Sequence, residues 1–212
     1  MSIDHRAARL RMVAEQLAAR DITDERVLEA MRRVPRHEFV PARVADQAYD
    51  DHPLPIGHDV TISQPYIVAL MTQSLRLQPG DRVLEIGTGS GYAAAVLAEI
   101  ADDVTTVECI EPLAEQSRAR LSSYGERVRV IAGDGSLGYE PHAPYDAIVV
   151  TAAAPEIPRP LLDQLASGGR LVVPVGSGVE QLVRVTRTEH GDEHEELLPV
   201  RFVPLTGEYG VG

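Results

Sequence analysis

The spacing of apolar residues changes character about a third of the way along this 212-residue chain. Residues 4–20 place Leu10, Val13, Ala14 and Leu17 at helical spacing. A second helix is predicted from Asp24 to about Arg33, capped by Thr23 or Asp24 and stopped by Pro35. The connector 34–41 is bracketed by prolines, and residues 42–60, with Pro53, Pro55 and Gly57, read as irregular. Helix resumes over about 65–75, with Pro65 in its first turn. After a turn at 77–81, short apolar runs alternate with helical stretches. Residues 83–86, 104–108, 128–131, 145–150 and 170–175 read as strands buried on both faces of a parallel sheet. Residues 92–100 and 161–166 read as helices, the second ended by Gly168 and Gly169. Such alternation implies right-handed crossovers. Residues 181–188 and 196–203 then form an antiparallel hairpin around the polar stretch 189–195. The expected fold class is α/β, a doubly wound and mostly parallel sheet forming a single domain over 1–212. Residues 1–80 would be a helical N-terminal extension covering the mouth of the sheet. Residues 81–212 would be the ligand-binding sheet with its C-terminal hairpin.

The strand at 83–86 runs directly into Gly87, Gly89 and Gly91. Glycines let the backbone turn sharply and approach a ligand with no Cβ in the way. A helix beginning at Tyr92 turns its N-terminus toward a bound group. A dinucleotide fingerprint requires glycine at the first, third and sixth positions. Here the sixth position is Tyr92, and the third glycine comes one place early. A bare strand-to-helix turn is the alternative reading, but two further strand ends also carry acids. Glu108 lies 21 residues after Gly87 and can accept both ribose hydroxyls of a nucleoside. Asp134, before Gly135, can accept from an adenine amino group or simply form an Asp-Gly turn. Glu85, two residues before Gly87, joins the candidate set.

Charge and composition narrow the partners. Net charge is −12 and the basic residues are scattered, which disfavours nucleic acid. The single cysteine, Cys109, excludes an internal disulfide and a multi-cysteine zinc site, and reads as a small residue near the ligand. No apolar run reaches membrane-spanning length and the first residues lack a signal core, so a cytoplasmic protein is expected; a monomer without metal is the accompanying expectation, though no residue pattern sets the oligomeric state.

Several segments together resemble the bacterial protein-L-isoaspartate O-methyltransferases: 34–41, 54–66 with its Thr-Ile-Ser-Gln-Pro run, the glycine turn, 133–138, 146–155 and 201–206. The similarity implies the methyltransferase form of the doubly wound fold, S-adenosyl-L-methionine as donor and S-adenosyl-L-homocysteine as product. It implies methylation of L-isoaspartyl carboxylates in damaged proteins, starting a repair through a succinimide. The family's reacting-centre hydroxyl falls on Ser63, with Ile56, Gly57 and Thr61 beside it on the substrate side. Cofactor contacts fall on Ile62, Gly87, Glu108, Asp134, Gly135 and Thr206. Where many relatives have Gly-Gln before the Thr-Ile-Ser triplet, this chain has Asp59-Val60, and Pro53 replaces a common alanine.

Ser63 also stands where a cap for the helix at Pro65 would be. Other readings are a carboxylate methyltransferase for a specific peptide or natural product, a non-catalytic nucleotide-binding module, and a zinc hydrolase. The last rests on His190-Gly-Asp-Glu-His194, which reads instead as a charged hairpin tip. His37, His52 and His58 read as loop surface flanking the substrate mouth, and Met71 and Leu75 as core.

Overall fold

The structure is a computed structural model that describes residues 4–211. Asp4 caps the first helix by accepting from the Ala7 amide at 3.0 Å. Helix α1 (His5–Arg11) runs straight into a π-helical stretch, Met12–Ala18. The π winding alters the inward face: Met12, Val13 and Leu17 are buried, whereas Leu10 and Ala14 face solvent. An i to i+5 repeat sets Leu17 beneath Met12, which a 3.6-residue period does not anticipate.

Helix α2 (Glu25–Arg33) begins where the Asp24 carboxylate accepts from the Arg26 amide and ends two residues before Pro35, with Val34 as its C-cap. The connector is two 3₁₀ turns, Arg36–Phe39 and Ala42–Gln47. The stretch expected to be irregular holds an antiparallel hairpin, β1 (Leu54–Gly57) with β2 (Val60–Ile62). Pro55 and a His58-Asp59 tip conceal it in the sequence. Both tip residues are left-handed, with φ of 52° and 58°, a conformation that hairpin tips usually assign to Asn-Gly. Helix α3 (Pro65–Ser74) has Gln64 at its N-cap and no side-chain cap bond, so Ser63 is not a cap.

The central sheet comprises β3 (Arg82–Ile86), β4 (Asp103–Glu108), β5 (Val128–Ala132), β6 (Tyr145–Val150), β7 (Leu165–Val175), β8 (Glu180–Thr188) and β9 (Gly191–Val200). Their order is β5-β4-β3-β6-β7-β8-β9, parallel through β7 and antiparallel beyond. Helices α4 (Tyr92–Ala98), α5 (Glu111–Arg120) and α6 (Arg159–Asp163) carry three of the crossovers.

Two boundaries differ from the sequence expectation. Helix α6 ends at Asp163, and β7 starts at Leu165 with Gly168 and Gly169 inside it. The Tyr145–Leu165 pairing, reinforced by the Tyr145 amide on the Gln164 carbonyl, draws this segment into the sheet. The polar stretch 191–195 is strand rather than tip. As the sheet's outer edge it can be charged on both faces, and Arg187–Asp192 and Arg184–Glu195 pair it to β8.

Alternation along the strands sorts the core into two layers. Val83, Val149 and Val172 face a layer shared with α3, α4 and apolar residues from Ala8 to Leu77. Leu84, Ile86, Ile148, Val150, Leu171 and Val173 face the other, beneath Leu161 and Leu205. Met71 and Leu75 sit in the first layer, as expected.

Candidate active site

Strand β3 lies between β4 and β6, so the crossovers leaving its carboxyl end diverge and open a crevice. The glycine turn fills the base of that crevice. Gly87 has φ of 93°, and a Cβ there would collide with Oγ1 of Thr151 at the end of β6. That hydroxyl donates to the Gly87 carbonyl at 2.7 Å, so β6 buttresses the turn. Glu108, buried at the end of β4, accepts from the Gly89 amide at 2.7 Å through Oε2 and from the Ile110 amide at 3.0 Å through Oε1. Each oxygen retains lone pairs for the vicinal hydroxyls of a ribose. Gly91 does different work. It caps α4 at φ of 88°, and a Cβ would press on Leu121 at 3.1 Å, so it allows α4 and the end of α5 to pack closely.

A cavity of about 1070 Å³ opens above this base. Of the residues singled out from the sequence, Thr61, Ile62, Ser63, Gly87, Gly89, Glu108, Gly135 and Thr206 line it. Ile56, Gly57, Glu85, Gly91 and Asp134 are not among its lining. Ile56 lies behind the turn, its Cδ1 3.6 Å from where a Gly89 Cβ would be. The Asp134 carboxylate accepts from the Ser136 amide and hydroxyl and from the Glu208 amide at 2.8 Å. Burial pushes its pKa up, but those hydrogen bonds outweigh it and hold the carboxyl below its usual range. It thereby pins the C-terminal segment that carries Thr206 over the cavity. Gly135 needs its missing Cβ, which would strike Ile86 Cγ2 at 2.5 Å.

Glu85 sits beneath the turn with no exposed surface. Thr106 donates to its Oε2 at 2.6 Å, and the Thr106 and Thr88 hydroxyls lie 2.6 Å apart. Desolvation pushes its pKa up to about 8, with the nearby Glu108 charge adding to the shift. A protonated Glu85 can support the turn without setting a second negative charge beside Glu108.

The rest of the cavity wall includes β2 and the chain just beyond β9. Pro53, His58 and Asp59, and Val179, Arg201 and Phe202, also line the cavity. Cys109 is exposed and lines the cavity, its Sγ 3.3 Å from Thr206 Oγ1. His52 and His58 are exposed. His37 is a correction to the loop-surface reading: half-buried, it stacks on His5 at 4.1 Å and meets the Tyr49 hydroxyl at 2.6 Å. Its neighbours lie far away in sequence, so local pattern could not reveal this. Thr151 and Arg36 were likewise missed. Thr151 follows an unremarkable apolar strand, and Arg36 carried only the weak signal of prolines on either side.

Fold and cavity are those of an S-adenosyl-L-methionine-dependent methyltransferase. The family model described as protein-L-isoaspartate(D-aspartate) O-methyltransferase matches residues 8–210. The chain belongs to that family. It is 58% identical over 208 residues to protein-L-isoaspartate O-methyltransferase 1 of Rhodopseudomonas palustris, covering 96% of this chain and 85% of that one. The Syntrophobacter fumaroxidans relative of the same designation is 56% identical over 210 residues, 98% of each chain. A solved protein-L-isoaspartate O-methyltransferase superposes with a TM-score of 0.86 at 29% identity, covering 97% of this chain and 67% of that one. A Plasmodium falciparum structure of this designation, in complex with S-adenosyl-L-homocysteine, gives 0.80 at 27% identity, covering 97% and 99%.

Proposed function

We propose that this chain transfers a methyl group from S-adenosyl-L-methionine to the free carboxylate of L-isoaspartyl residues in proteins and peptides, the first step of their repair. The observation that carries this reading is that Ser63 and the nucleoside-type acid Glu108 line one continuous cavity. The donor, when bound, supplies a sulfonium methyl and leaves as neutral S-adenosyl-L-homocysteine.

The protein's own work is alignment and exclusion of water. A substrate carboxylate is ionised at neutral pH and needs no strong base. Its oxygen lone pair forms the new bond to the methyl carbon as the carbon–sulfur bond breaks. Ser63 donates a hydrogen bond that aims one carboxylate oxygen. Glu108 receives the ribose hydroxyls, Gly87 and Gly89 let the backbone approach the donor, and Gly135 and Thr206 border the adenosine end. Asp134 serves mainly to hold that border in place. Ile62 backs the donor, Thr61 faces the substrate, and Ile56 and Gly57 shape the hairpin behind them. Residues 1–80 act as a cover on the sheet, not as a separate domain, and their described part shares its first core layer.

No helix among the described residues is long and apolar enough to cross a membrane. We place the protein in the cytoplasm, acting as a monomer without nucleic acid.

An isoaspartyl peptide and its matched aspartyl peptide, each assayed for methyl ester formation, test the function. Esterification of the isoaspartyl form alone is expected. Equal turnover of both would overturn the repair reading.

A further inference from the structure

Arg36 has no exposed surface and no ion-pair partner among the described residues. Arginine is almost never fully buried unless paired. Its Nη2 donates to the Ser63 carbonyl at 3.1 Å and to the His52 carbonyl at 3.3 Å, while Nε and Nη1 are buried without partners. Burial draws its pKa down to about 10, so the guanidinium is still charged at neutral pH. A buried cation held this way costs stability.

His52 and Ser63 flank the β1–β2 hairpin, whose outermost pair is Leu54 with Ile62. The two carbonyls therefore close the hairpin's base. Gln64 adds a second tie, donating to the Asp51 carbonyl at 3.0 Å. An isolated two-stranded hairpin is marginal at best, so its base decides where Ser63 stands. On its other side the guanidinium lies 5.5 Å from the ring centroid of Tyr92, the residue that opens α4 directly after the glycine turn. Phe39, from the same 3₁₀ turn as Arg36, meets that ring edge-on at 5.6 Å.

We propose that Arg36 is a positioning residue for methyl transfer: it fixes the Ser63 backbone against the cofactor turn, through the Ser63 and His52 carbonyls and the Tyr92 ring. This rests on the role proposed above for the Ser63 hydroxyl. A displacement of about 1 Å at a reacting centre can cost on the order of 100-fold in rate. Lysine offers a single point of charge in place of a planar fork, so it substitutes only in part.

The test is a double-mutant cycle between Arg36→Gln and Ser63→Ala, with Arg36→Lys as the conservative variant. The readouts are kcat and KM on an isoaspartyl peptide and calorimetric affinity for S-adenosyl-L-homocysteine. We expect Arg36→Gln to lower kcat at least tenfold, with cofactor affinity changed less than about threefold, and Arg36→Lys to recover part of the loss. In the Ser63→Ala background Arg36→Gln should cost less than about twofold more, because both act through one hydroxyl. Unchanged kcat in Arg36→Gln, an equal loss in both backgrounds, or cofactor affinity falling in step with turnover overturns the proposal. Full turnover by Ser63→Ala defeats the role of the hydroxyl itself and removes the route by which Arg36 acts. A slow Ser63→Ala beside a fully active Arg36→Gln defeats Arg36 alone. Should Arg36→Gln not fold, shown by loss of cooperative melting, Arg36→Lys runs through the same cycle with the same criteria.

Discussion

Glu85 carries a carboxyl into the dry centre of the sheet, two residues before the glycine turn. Its raised pKa has a defined consequence for stability. The folded protein keeps this proton up to about pH 8, whereas an unfolded chain releases it near 4.5. Folding therefore binds a proton within that window, and stability falls as pH rises through it. Glu85→Gln, isosteric with the protonated carboxyl, should flatten the fall. Denaturant midpoints at about pH 5 and about pH 9 measure this, and an unchanged slope in the variant contradicts a protonated Glu85. The hydroxyl of Ser63 has a different signature. Its removal should lower kcat by about 10- to 100-fold with cofactor affinity nearly unchanged, since only the aim of the carboxylate is lost. Glu108→Ala should do the reverse, weakening S-adenosyl-L-homocysteine binding by about 1.5–3 kcal/mol in calorimetry. At this scale the sequence was legible where chemistry is local. Glu108 ends a strand and lines the cavity as its spacing suggests. Glu85 shares that motif and the same face of the sheet, through its pairing with Thr106, but it stands inside β3 and not at the strand end, so the turn covers it.

The β1–β2 hairpin shows how an element can escape detection. Its strands are four and three residues long, one contains Pro55, and its tip is His58-Asp59. A left-handed non-glycine residue costs roughly 1–2 kcal/mol. Asp59→Gly should therefore raise stability by up to about 1 kcal/mol after glycine's entropic cost, read as a higher denaturant midpoint. Destabilisation would mean that Asp59 makes contacts outweighing its backbone strain. Beta strands β8 and β9 illustrate the opposite error. Their polar stretch 191–195 resembles a loop in sequence, but an edge strand need bury only one side and can carry charges throughout. The long parallel strands were clear because continuous apolar runs bounded by glycine and acid have few other solutions.

At the scale of the molecule, the segment from Ala8 to about residue 80 and the sheet share one core layer, joined at Tyr92. Its hydroxyl reaches Met31 Sδ of α2 at 3.5 Å, and Phe39 and Arg36 cover its ring. Binding in a cavity walled by both parts should stabilise both together. Saturating S-adenosyl-L-homocysteine, at about 100 times its Kd, is expected to add about 2.7 kcal/mol. For a chain of this size that raises Tm by about 5–10 °C in one cooperative transition. Two separate transitions, with only the later one shifted, would argue that the extension unfolds on its own. The sequence by itself determined the sheet, its glycine turn, the acid at β4 and the resemblance that names the chemistry. These are written in runs of adjacent residues, where periodicity and spacing act. Only the tertiary structure decided which of those residues face the cavity, that Thr151 props the turn, and that a buried Arg36 grips the segment bearing Ser63. Such contacts join residues dozens of positions apart, and no local pattern encodes them, because burial and close approach arise only when the layers pack.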